Sequence, residues 1–133
     1  MTTDLEMLAW VSGATIFMWF PYILAHIANV GLMPALTYSA DDTPLPKWAE
    51  RAKRAHRNAI ENLAPFAALV IAAHLTGAAN EATAMAAVVY FWSRMAHFVL
   101  YIAGVPFGRT TMFAIAWAAM LWIFWQIVSA APM

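Results

Sequence analysis

Four long apolar stretches limit this chain to very few folds: roughly Met7 to Pro34, Ile60 to Leu75, Ala82 to Ala103 and Thr111 to Ala131. Each comes near the roughly 20 residues that a helix needs to cross about 30 Å of hydrocarbon. Runs such as AAVVYFW and MFAIAWAAMLWIFW do not alternate, which excludes the short in-out strands of a barrel. Spanning helices then remain as the way to satisfy the backbone in lipid, and the expected fold is an all-α, antiparallel four-helix membrane bundle occupying residues 1–133 as one domain. Composition agrees, because only 11% of residues are charged against about a quarter in soluble proteins.

The first apolar run is preceded by acidic MTTDLE rather than a basic segment and is too long for a secretory signal, so it reads as a retained helix. Pro21 is expected to bend it near Phe20, and Pro34 to stop it around Met33. LTYSADDTPLPKW reads as the one substantial loop, after which Trp48 opens a long helix that projects from the membrane before entering it. Gly77 with Asn80, and GVPFG from Gly104 to Gly108, form short turns that make sequential helices antiparallel neighbours.

Cations are placed asymmetrically. Lys47, Arg51, Lys53, Arg54 and Arg57 follow the first span, Arg94 lies within the third and Arg109 follows it, whereas the opposite ends carry only Asp4, Glu6 and Glu81. The positive-inside rule then puts the first and third connections in the cytoplasm and both termini outside. The basic cluster flanks a span, where it meets anionic lipid head groups rather than nucleic acid. With no cysteine, the chain has neither disulfides nor thiolate metal sites nor a cysteine nucleophile.

Polar groups at membrane depth cost about 2.5–3.5 kcal/mol each on insertion scales, so they should face protein or a water-filled cavity. At about 100° per residue, Arg54, Asn58, Glu61 and Pro65 share a narrow arc of the second long helix, and Tyr90, Arg94, His97 and Tyr101 do so on the third. The two stripes could be structural glue, with Arg94 paired to Glu61 and Asn58 bonded to His97. Yet Arg51, Arg54, Arg94 and Arg109 face a single acid expected to be buried, Glu61, and a surplus of buried cations calls for an anionic ligand. Arginine forks bind carboxylates, a lone carboxylate holds an ammonium and asparagine pairs with a peptide group. A small peptide with two carboxylates and one amine, such as glutathione, suits that inventory, as would a phosphorylated or fatty-acid ligand.

RAxRAHRNxxENLxPF on the second helix, followed by FWSRMAHFVLYIAGVPFGRT, resembles the MAPEG family, membrane-associated proteins of eicosanoid and glutathione metabolism. The compact length, the short loops and PFAALVIAAHLTGAAN look most like its bacterial, microsomal glutathione transferase-like members. The resemblance implies a homotrimer with glutathione between neighbouring subunits near the cytoplasmic face. It also implies conjugation of glutathione to lipophilic electrophiles, reduction of lipid hydroperoxides, or isomerisation of an endoperoxide. By motif position Arg54, Asn58 and Glu61 would bind glutathione, with Arg94, His97 and Tyr101 as partners and Arg51 and Arg57 as further contributors. Arg109 would stabilise the thiolate, and Thr110 would donate a hydrogen bond to the sulfur or to an oxidised substrate. The first span lacks the basic residues that several eukaryotic members carry at its cytoplasmic end.

Two other readings compete. His26 with His97 could ligate haem, although no metal is expected, and His56, roughly 160° from Arg54 on the helix, is expected to meet loop or head groups. A non-catalytic glutathione- or lipid-binding protein of the same fold would bind without turnover. The tryptophans Trp10, Trp19, Trp92, Trp117, Trp122 and Trp125 read as packing or interfacial anchors, and Ala82, Ala84, Ala86 and Ala87 permit close helix approach.

Overall fold

The computed structural model describes residues 1–132 and is entirely helical. Helices α1 (Thr3–Phe17) and α2 (Phe20–Val30) form the first span, a short α3 (Leu32–Leu36) and a 3-10 turn (Tyr38–Ala40) follow, and α4 (Lys47–Leu75), α5 (Glu81–Ala103) and α6 (Pro106–Ala130) complete the chain. The four segments Thr3–Val30, Lys47–Leu75, Glu81–Ala103 and Pro106–Ala130 are each long and apolar enough to cross a membrane.

Proline and glycine set the boundaries. The ring of Pro21 conflicts with a helical carbonyl at Phe17, where α1 ends, and Pro21 itself sits in the first turn of α2, where no N–H is needed. The bend is therefore where the sequence puts it. The stop is not: α2 ends at Val30 because Gly31 takes φ +90°, its N–H bonding Ile27 O at 2.8 Å, and Pro34 lies inside α3 rather than terminating the span. Part of the expected loop is accordingly helical.

At 29 residues α4 is about 44 Å long, well over the hydrocarbon thickness, so one end projects. Along that end Ala49, Ala52, Ala55 and Ala59 are buried, a small-residue seam that lets neighbouring helices approach closely. Asn80 caps α5 reciprocally with Thr83 (Thr83 N to Oδ1 3.0 Å, Asn80 N to Thr83 Oγ1 2.9 Å) and also reaches Gln126 Oε1 at 2.8 Å, tying the α4–α5 turn to the end of α6.

All four spans supply the core: Val11 from α1, Phe66, Val70 and Ala73 from α4, Ala86, Ala87 and Tyr90 from α5, and Ala116, Ala119, Met120 and Ile123 from α6. Phe66 and Tyr90 stack with centroids 3.7 Å apart, so Tyr90 belongs to the core rather than to the polar site. Ala86 and Ala87 are used inside this chain, whereas Trp10, Trp19, Trp92, Trp117, Trp122 and Trp125 are exposed.

Asp4 is buried, 2% exposed, and pairs with His74 Nε2 at 2.9 Å while accepting from Thr2 Oγ1 and Leu5 N. This contact clips the start of α1 to the last turn of α4. Asp4→Ala should lower the stability of the detergent-purified protein by about 1–3 kcal/mol. A thermal double-mutant cycle with His74→Ala checks it: the two losses should be less than additive, and simple additivity would mean that the contact contributes nothing.

Candidate functional site

The α5–α6 turn builds the site. Gly104 adopts φ +78° and closes α5 with Gly104 N to Tyr101 O (3.1 Å) and Val105 N to Leu100 O (3.0 Å), the double bond of a Schellman end. Pro106 then starts α6 at once, so Arg109 and Thr110 stand in its first turns beside Tyr101 in the last turn of α5. The spacing is tight, because a Cβ on Gly108 would come within 3.1 Å of Leu100 and Val105.

Asn58, His97, Tyr101, Arg109, Thr110 and Phe113 line one cavity of about 250 Å³ between α4, α5 and α6. A second, of about 150 Å³, shares Tyr101 and Arg109 and adds Arg51 and Gly104. The Arg109 guanidinium lies 4.5 Å from the Tyr101 ring centroid, and Tyr101 in turn meets His97 edge to face at 5.5 Å. Among the described residues Arg109 has no carboxylate or carbonyl acceptor, so its N–H groups stay available for an anion.

Arg94 sits behind this wall, 2% exposed. Its Nη2 donates to Asn58 Oδ1 at 2.7 Å, while Nη1 is buried without a partner, as is His97 Nδ1. The α4 and α5 stripes do face one another, but through Asn58 and Arg94. Glu61 is not the buried counter-charge expected: it is exposed, forms no ion pair among the described residues, and lines a different cavity of about 230 Å³ with Tyr22, Lys53, His56, Arg57 and Ile60. The reason is angular, for three residues turn the helix about 300°, leaving Glu61 about 60° from Asn58 on the flank away from α5.

Other placements differ in detail. Arg51 Nε donates to Ile102 O at 2.9 Å, capping the carbonyl end of α5, and Arg54 is exposed on α4. The Thr110 hydroxyl bonds Pro106 O at 3.0 Å and must leave it to donate elsewhere. His56, expected among head groups, bonds Tyr22 through Nδ1 at 2.7 Å. His26 lines a cavity of about 360 Å³ with Tyr22, Asp41, Glu50 and Lys53, away from the one that His97 lines, so these two histidines are not brought together. The Tyr22–His56 contact had no sequence signal, since it links positions 34 apart.

The arrangement defines a class: a polytopic helical membrane protein with an arginine-lined polar cleft at the basic end of its bundle. Within that class the chain belongs to the MAPEG family, whose family model matches residues 7–129. Members of that family are membrane proteins of glutathione and eicosanoid metabolism. No curated protein and no solved structure gives a match.

The buried Arg94–Asn58 contact should be costly to break from one side. Asn58→Leu should destabilise the protein by about 3–5 kcal/mol, because it strands a buried cation, whereas Asn58→Leu with Arg94→Met should recover most of that loss. Thermal unfolding in detergent measures both; equal losses in the single and double variants would refute the contact's importance.

Proposed function

We propose that this protein is a glutathione-dependent membrane enzyme of the microsomal glutathione transferase type, conjugating the thiol to lipophilic electrophiles or using it to reduce lipid hydroperoxides. One observation carries the reading: Asn58, His97, Tyr101, Arg109 and Thr110, drawn from three helices, converge on one cavity whose arginine has no acceptor among the described residues.

The chemistry follows from that cation. A thiol of pKa about 8.5 is a weak nucleophile at neutral pH, and a guanidinium beside it favours the thiolate. In conjugation the sulfur forms a bond to carbon as the leaving group departs with its electron pair, and the thiol proton goes to water. In hydroperoxide reduction the sulfur attacks the distal oxygen, the O–O bond breaks to release an alcohol, and a second glutathione completes the disulfide and water. Arg94 Nη1 and His97 Nδ1, buried without partners, support the binding of peptide carboxylates or carbonyls nearby.

The site is divided. Arg109 and Asn58 lie on one flank of α4 and Glu61, Arg57 and Lys53 on the other, while the first cavity, at about 250 Å³, is smaller than the roughly 300–1,000 Å³ usual for small ligands. A peptide with an amine for Glu61 and a thiol for Arg109 would need both flanks. Two different patches of one chain would meet through a head-to-tail contact, which forms a ring where the rotation closes. The family resemblance implies that this ring is a homotrimer, with glutathione at each subunit interface. Arg54, exposed between the flanks, and Arg51 then contribute from the rim. The basic end faces the cytoplasm of a bacterial inner membrane, with both termini outside, and the lipophilic substrate enters from lipid past the exposed Phe113.

The test uses protein purified in detergent, with glutathione, a generic electrophile and a hydroperoxide. Arg109→Ala should bind glutathione but lose about 10²–10³-fold in kcat, with the activity's alkaline shift expected of a thiol whose pKa has risen. Glu61→Ala should instead raise KM for glutathione. Binding without turnover would leave a glutathione-binding protein, and neither binding nor turnover would end the reading.

A further inference from the structure

We infer that Tyr101 is a positioning residue whose ring, rather than its hydroxyl, holds Arg109 in place for the anionic sulfur. The inference rests on the proposed glutathione reading for its chemistry but on the contact itself for its geometry. The guanidinium stands 4.5 Å from the ring centroid, within the range of a cation–π contact. A carboxylate partner would neutralise Arg109 and occupy its N–H groups, whereas a ring attracts the cation and leaves those donors unoccupied.

Three further features make the ring a fixed support. His97, 2% exposed on α5, meets Tyr101 edge to face at 5.5 Å, so the ring leans on a buried side chain. The Schellman end at Gly104 holds Tyr101 and the first turns of α6 a few residues apart in space as well as in sequence. Arg51, which shares the smaller cavity with Tyr101 and Arg109, is tethered by Nε to Ile102 O at 2.9 Å and so remains beside the ring rather than displacing Arg109 from it. Among the described residues no acid competes for Arg109.

Two variants separate ring from hydroxyl. Tyr101→Phe keeps the ring and Tyr101→Leu removes it, with thermal unfolding of both in detergent confirming a folded protein. The first measurement is labelling of Arg109 by phenylglyoxal, located by peptide mass spectrometry with no glutathione present. Tyr101→Leu should label at least about threefold faster than wild type, and Tyr101→Phe at the wild-type rate. The second is the pKa of bound glutathione, read from thiolate absorbance across pH at saturating ligand. Tyr101→Leu should raise it by about half a unit to one unit, three- to tenfold in thiolate below that pKa, while Tyr101→Phe leaves it in place whatever happens to affinity.

Equal labelling in wild type and Tyr101→Leu would overturn the inference, as would a pKa rise as large in Tyr101→Phe as in Tyr101→Leu, which would assign the work to the hydroxyl. The expected labelling pattern with no bound thiolate in wild type would support the ring contact and count against the glutathione reading alone.

Discussion

Arg94 is a guanidinium buried on a membrane-spanning helix, one nitrogen bonded to Asn58 and the other without a partner. A cation there is tolerated only where protein surrounds it and hydrogen bonds compensate it, which fixes α5 to α4 at that level. The rest of the site inherits its position. His97 follows one turn further along the same face of α5, Tyr101 one turn beyond, and the Gly104 turn brings Arg109 back beside Tyr101. The polar cleft thus grows from a single expensive residue near the end of the bundle, while Phe66, Val70 and Tyr90 seal the apolar interior beyond it.

The opposite end of the molecule uses the same solution with different groups. Asp4 meets His74, and Asn80 both caps α5 with Thr83 and meets Gln126, so this end is held by hydrogen bonds between helices distant in sequence. Between the two polar ends the outward surface is aromatic and aliphatic, with Trp92, Trp117 and Trp125 exposed as lipid-facing side chains. Charge therefore has two locations in the fold, a structural one near the termini and a chemically unsaturated one at the basic end. At the second, Arg94 Nη1 and the Arg109 guanidinium have no acceptor among the described residues.

What the sequence made legible followed helical period and chain punctuation. The α5 stripe of Arg94, His97 and Tyr101 lies on one face, the Pro21 bend falls where expected, and Arg109 stands in the first turn of the last helix. What it hid depended on neighbours. A helical wheel groups Asn58 with Glu61 but cannot say that α5 covers one flank and leaves the other open, so Arg94 meets Asn58 rather than the Glu61 that a structural pairing of the stripes would have given it. Gly31 ended α2 before Pro34 could, because a glycine at positive φ with an extended ψ breaks the helical run within one residue. Asp4 read only as one of the acids opposite the basic ends, because its partner lies 70 residues away on another helix. The motif resemblance, by contrast, anticipated the MAPEG family match across residues 7–129.

The proposed glutathione site draws Arg109 from one subunit and Glu61 from its neighbour. Co-expressing Arg109→Ala and Glu61→Ala chains, separately tagged and purified as mixed assemblies, tests it at subsaturating glutathione. Each variant alone should be nearly inactive, whereas mixed trimers should recover about one-third of wild-type activity, because each contains one interface that joins two intact halves. Mixed assemblies no more active than the separate variants would place both halves in the same chain and contradict the account.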